Sequence, residues 1–142
     1  MNYTSIEQSK KLAEILPIES ADMHYNNGSC RGVDYTEHFS AELMPYQEAL
    51  HLMEIHKTNF MFQVIPCWSL AAIIKLLPYD IKGHNLAIYK SYCPNEKTFA
   101  YELSYEGDFY DYELSILAST SSIELIDACY EMIIKLNELK ML

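Results

Sequence analysis

Arginine is almost missing from this chain of 142 residues. Arg31 is the only one, and Lys and Arg together number 10 against 20 Asp and Glu, a formal charge of −10. Surfaces that read nucleic acid depend on arginine forks and basic stripes, and an acidic exterior repels phosphate, so no nucleic acid partner is expected. Glycine is scarce too: Gly28, Gly32, Gly83 and Gly107 form no G-x-G-x-x-G, Walker or G-x-S-x-G pattern. The usual supports of nucleotide binding and serine-hydrolase chemistry are therefore lacking. The four cysteines, Cys30, Cys67, Cys93 and Cys129, contain no C-x-x-C pair and read as reduced thiols. Residues 1–7 have no basic region followed by an apolar stretch, as an export signal would. The longest apolar run, Trp68–Leu77, is interrupted by Ser69 and Lys75 and is about half of what spans a bilayer. The expectations are no membrane partner and a cytoplasmic location.

Half of the residues are hydrophobic, enough for a single domain over residues 1–142 that needs no disulfide or structural metal. Thr4-Ser5-Ile6-Glu7 has capping-box spacing and predicts a helix over 5–16, stopped by Pro17. Residues 17–44 show no sustained period and read as a long surface excursion, broken at most by a strand around Val33–Phe39. Pro45–Lys57 suits a helix with proline in its first turn. Ser69–Leu77, almost wholly apolar and closed by Pro78, predicts a short central helix buried on most of its surface. Ser121-Ser122-Ile123-Glu124 is a second capping box, opening a helix that runs to about Leu139. On it Glu124, Asp127, Glu131, Lys135 and Glu138 share an arc of roughly 80°, leaving a wide apolar arc to pack on a sheet.

Residues 84–117 switch to a period of two. Phe99, Tyr101, Leu103 and Tyr105 alternate on one strand, and Tyr110, Tyr112, Leu114 and Ile116 on the next. Gly107-Asp108 suits a two-residue turn that sets Tyr105 opposite Tyr110, Tyr101 opposite Leu114 and Glu102 opposite Glu113. A turn at Glu106-Gly107 would instead face Glu102 with Asp111 and avoid the like-charge pair. Either register leaves an acidic outer face. The predicted fold class is α+β: a small antiparallel sheet of about three strands packed against a long C-terminal helix and a buried central helix, with an N-terminal helix.

Tyrosine is the one compositional excess, with twelve residues. It combines a rigid area with a polar tip, favoured on half-buried strands and at binding surfaces alike. Tyr101, Glu102, Tyr110, Asp111, Tyr112 and Glu113 are the candidate binding residues. A second constellation is Asp22, His24, Cys67 and Trp68. Cys67 sits where the apolar helix begins, so a helix N-terminus could lower its thiol pKa, although its apolar neighbours Ile65, Pro66 and Trp68 equally describe core packing. Asp22, His24, Cys30, Asp34 and His38 are ligand types in one irregular segment, but their spacing matches no metal site. Glu48-x-x-His51 is half of a di-iron pattern without its second half, and His51 and His56 lie about 140° apart on a helix. No metal and no cofactor are expected.

Three segments, Tyr3–Leu12 with Ala21-Asp22-Met23, Ile65–Leu70 with Leu76-Leu77-Pro78, and Ile126–Ile134, resemble a family of short uncharacterised proteins of gut bacteria and their phages or mobile elements. The resemblance covers most of the chain in order. It implies one domain in a bacterial or phage cytoplasmic setting and carries no activity onto any numbered residue. The expected function is a non-enzymatic interaction or regulatory protein whose acidic, tyrosine-bearing surface meets another protein or a second copy of itself. The alternative is a small-molecule binder or enzyme with a site near residues 22–38 and the start of the Trp68 helix.

Overall fold

The computed structural model describes residues 2–26, 40–56, 64–110 and 113–142, with residues 40, 53, 55, 56, 109 and 110 described by backbone alone. The chain is α+β and divides into two compact units, Tyr3–Ala72 and Ile73–Leu142.

The first unit contains α1 (Ile6–Leu12), a 3-10 turn (Ile18–Ser20), β1 (Met23–Asn26), β2 (Ser40–Glu42), α2 (Tyr46–His56) and β3 (Val64–Cys67). Its antiparallel sheet has the order β2-β1-β3. β1 falls inside the segment read as an excursion, and the strand expected at Val33–Phe39 lies outside the described residues. Met23 pairs with Cys67 and Tyr25 with Ile65, so these four side chains share one face and form a core with Tyr3, Ile6 and Ala41. Pro66 is tolerated because β3 is an edge strand, where a missing N–H leaves no ladder bond unmade.

The cap of α1 is Ser5, not Thr4. The Ser5 side chain accepts from Gln8 N, and the Gln8 side chain accepts from Ser5 N, completing the box one residue later than its spacing suggested. Thr4 is taken by tertiary structure: its N–H donates to Trp68 O at 3.0 Å and its carbonyl accepts from Tyr25 at 2.6 Å. Regular helix ends at Leu12, although Leu16 N still donates to Leu12 O before Pro17 stops the chain. Further along, α3 (Leu70–Leu76) begins in this unit and ends in the next. Ala72, Ile73 and Leu77 are buried there while Ala71 and Lys75 are exposed, so it is covered on one side rather than over most of its surface.

The second unit carries β4 (Asp80–Ile81), β5 (His84–Cys93), β6 (Thr98–Tyr110) and β7 (Glu113–Ser122), antiparallel in that order, and α4 (Leu125–Glu138), which packs on β6 and β7. Ile126, Ala128, Cys129, Met132, Ile133 and Leu136 are the buried arc of α4. Each large apolar side chain there contributes about 1.5–3 kcal/mol by leaving water. Glu124 occupies the cap position of α4 without a side-chain cap bond, because Ser121 and Ser122 are still paired in β7 with Glu102 and Tyr101.

The β6–β7 hairpin corrects the expected register. β6 runs straight through Gly107-Asp108 to Tyr110, whose partner is Glu113, so the connection is residues 111–112. Tyr105 faces Ala118 instead of Tyr110, Tyr101 faces Ser122 instead of Leu114, and Glu102 faces Ser121 instead of Glu113 or Asp111. Placing serine opposite Glu102 removes the like-charge conflict that either tighter register created. Two one-residue irregularities interrupt the ladder, one between Tyr105 and Glu106 that adds Leu117 on β7, and one between Glu106 and Phe109 that adds a residue on β6. They cancel, and the pairs on either side share one register.

Candidate functional site

α4 covers one face of the four-stranded sheet, the face that holds Leu103, Tyr105 and Ala118. Thr120 belongs to it as well, donating to Ala128 O at 2.8 Å. The opposite face collects Glu102 and Glu106 by alternation along β6, together with Tyr89 from β5. Glu102 and Tyr89 are exposed. Between them the hydroxyls of Tyr89 and Ser104 donate to the two oxygens of Glu106 at 2.7 and 2.6 Å, and Ser119 donates to Glu102 at 3.3 Å. Tyr89 sits opposite Glu102 yet reaches Glu106, so its ring lies along the Ala87–Ser104 row. The Glu106 carboxylate that accepts its proton holds the Tyr89 phenol above its ordinary value. Among the described residues of β5, β6 and β7, this face carries no Lys or Arg: Lys90 lies on the other face, its ammonium 5.4 Å from the Tyr101 ring and 5.3 Å from that of Phe99.

The expected binding residues are thus split. Glu102 is on the open face, whereas Tyr101, half-buried, is on the α4 side, and Glu113 is turned to that side too because the extra residue at Leu117 reverses the alternation along the rest of β7. Asp111 and Tyr112 lie outside the described residues, as does the side chain of Tyr110. Tyr89 and Glu106 were missed, and the signal that finds them is the continuation of two-residue alternation back into β5.

The second constellation sits in the first unit, and its members have separate tasks. Asp22 accepts from Ser69 N at 2.8 Å and from Ser69 Oγ at 2.5 Å, while Ser69 Oγ accepts from Ala72 N at 3.2 Å. Asp22 is therefore a support for the start of α3. Trp68 is buried, with Nε1 donating to Ser20 Oγ at 2.9 Å. His24 alternates with Met23 and Tyr25 and so points away from Cys67. It is 3% exposed, with Nδ1 3.0 Å from Met44 O and Nε2 3.5 Å from Glu42 Oε2. Cys67 is fully buried with its sulfur 3.7 Å from Thr4 Oγ1 and 3.6 Å from Thr4 O. Burial pushes its thiol up, against lowering contributions from Thr4 and Ser9, so it is held protonated and is no ready nucleophile.

Among the described residues, no three His, Cys, Asp or Glu side chains gather closely enough to hold a metal ion, and no helix is long and apolar enough to cross a membrane. Cys30, Asp34 and His38 lie outside the described residues. No protein-family model, curated protein or solved structure matches the chain.

Proposed function

We propose that this protein is an interaction module, a regulator or inhibitor acting in a bacterial or phage cytoplasm, that engages a basic partner protein through the open face of its four-stranded sheet. The observation that carries this reading is a face bearing two carboxylates, Glu102 and Glu106, and the Tyr89 phenol, with no cation among its described strand residues. Glu102 and Glu106 stand four positions apart along β6, about 13 Å, with Tyr89 across from Glu102 on the neighbouring strand, an open strip suited to a protein surface more than to a small molecule. Complementary charge of this kind speeds encounter and sets register, and tyrosine adds rigid area at low entropic cost.

The test is recovery of the tagged protein from its native host at low and at high ionic strength, followed by Glu102→Lys and Glu106→Lys. A stoichiometric basic protein is expected to co-purify at low salt and to be lost at high salt. The double reversal is expected to weaken binding at least about tenfold, 1.4 kcal/mol. A partner that binds the double variant as tightly as the original chain would sink the proposal.

A further inference from the structure

The two ladder irregularities re-aim a serine. With uninterrupted alternation Leu114, Ile116 and Ala118 would all lie on the α4 side of β7. The extra residue at Leu117 instead pairs Ile116 with Glu106 on the open face, where Ile116 is 52% exposed, and turns Ser115 to the α4 side. There Ser115 Oγ lies 2.9 Å from Nε2 of His84, although β6 separates their strands.

The imidazole reaches across β6 at Gly107. A Cβ on Gly107 would stand 2.9 Å from both Cδ2 and Nε2 of the ring, closer than real side chains approach, so only glycine fits beneath it as placed. The other ring nitrogen, Nδ1, is 3.1 Å from the carbonyl of Lys82. That carbonyl is delivered by a tight connection in which Lys82 and Gly83 both take positive φ, 52° and 79°, a conformation that lysine seldom adopts. A carbonyl oxygen only accepts. Nδ1 therefore carries the proton, the neutral ring offers Nε2 as acceptor, and the Ser115 hydroxyl donates to it.

We propose that Ser115 is a nucleophile activated by His84 as general base, with the Lys82 carbonyl fixing the tautomer, and that its substrate is a carboxylic ester. Serine, base and orienting group stand in the order that acyl transfer requires, here drawn from β7, β5 and the turn between β4 and β5, without a local sequence motif. In the first step Ser115 Oγ bonds to the ester carbonyl carbon and its proton passes to His84 Nε2. Collapse of the tetrahedral species breaks the bond to the alkoxy group, which leaves as the alcohol with that proton. Water then repeats both steps, His84 taking its proton and returning it to Ser115 Oγ, and the carboxylic acid is released.

The experiment treats the full chain with an alkyl fluorophosphonate and follows intact mass, peptide mapping and p-nitrophenyl acetate turnover. The expected result is one adduct on Ser115, formed as fluoride leaves phosphorus, absent in Ser115→Ala and slowed about 10²-fold or more in His84→Ala. Gly107→Ala keeps both groups and displaces the ring, and it should slow labelling to a similar degree. Circular dichroism and thermal melting identify which variants stay folded, and the comparison is made on those. Lack of a Ser115 adduct on the folded wild-type chain would overturn the proposal, and so would equal labelling rates in wild type and a folded His84 or Gly107 variant. Labelling is read on the purified chain without any partner protein, which separates this inference from the open-face reading.

Discussion

Replacing Asp22 by alanine tests whether that carboxylate is a structural support. Its two oxygens accept from Ser69 N and Ser69 Oγ at 2.8 and 2.5 Å, and each bond to a charged acceptor nets about 1.5–3 kcal/mol. Both residues are half-buried, so water replaces part of the loss, and the expected cost is about 2–4 kcal/mol. Trp68, the only tryptophan, is fully buried beside Ser69 and reports unfolding of this unit by its fluorescence. At a urea m-value of about 1.5 kcal/mol per M, the midpoint should fall by about 1.3–2.7 M. Ser69→Ala removes one of the same two bonds and the cap on Ala72, at a cost of about 1–3 kcal/mol. Because the Asp22–Ser69 hydroxyl bond is lost in both single variants, the double variant should cost less than their sum by about 1 kcal/mol. A shift below about 0.3 M for Asp22→Ala, or strict additivity in the double variant, would refute the support role.

Two further outcomes follow from burial of titratable groups. Iodoacetamide at pH 8 should modify half-buried Cys93 well before Cys67 and Cys129, whose thiols are fully buried and pushed up, and peptide mapping over time would show it. Fast labelling of Cys67 would instead restore it as a nucleophile. Alkali should destabilise the second unit: burial raises Cys129 from 9.0 and Tyr105 from 10.0, each to about 12, so folding favours their neutral forms. That stabilisation is complete below about pH 9 and is lost as pH rises toward about 12, because the unfolded chain releases these protons first. A thermal midpoint that stays flat from pH 8 to pH 11 would contradict this assignment.

Helices with a sustained period were legible. The apolar arc of α4, the helix within Pro45–Lys57 and the stop at Pro17 each follow from local spacing. Caps failed where tertiary structure competed: Thr4 is held by Trp68 and Tyr25, and Ser121 and Ser122 by the β7 ladder. β1 and β3 are four residues long, too short for alternation to stand out, and His24 and Pro66 obscure what there is. Gly107-Asp108 was the strongest turn signal in its region, yet the glycine serves the ring of His84 and β6 continues through it. The open acidic face was legible as a property, through Glu102, while the bulge at Leu117 turns Glu113 away from it and Tyr89 required the true pairing of β5. His84 and Ser115, 31 positions apart, become neighbours only through a register that local turn chemistry misassigned.

The paired insertions lie on opposite strands, so they restore the pairing without restoring the faces. From Leu117 to the hairpin tip β7 alternates in the opposite sense, which turns Ile116 and Leu114 to the open side and Ser115 and Glu113 to the α4 side, and the extra residue on β6 keeps that strand in step. Removing Leu117 together with one residue of the Gly107-Asp108 pair would set Ile116 next to Ala118 and leave a ladder without bulges in which every pair and every face of the tip is as before. The bulges therefore shape the bend of the hairpin where the His84 ring crosses β6, and leave the choice of partners at its tip to the register.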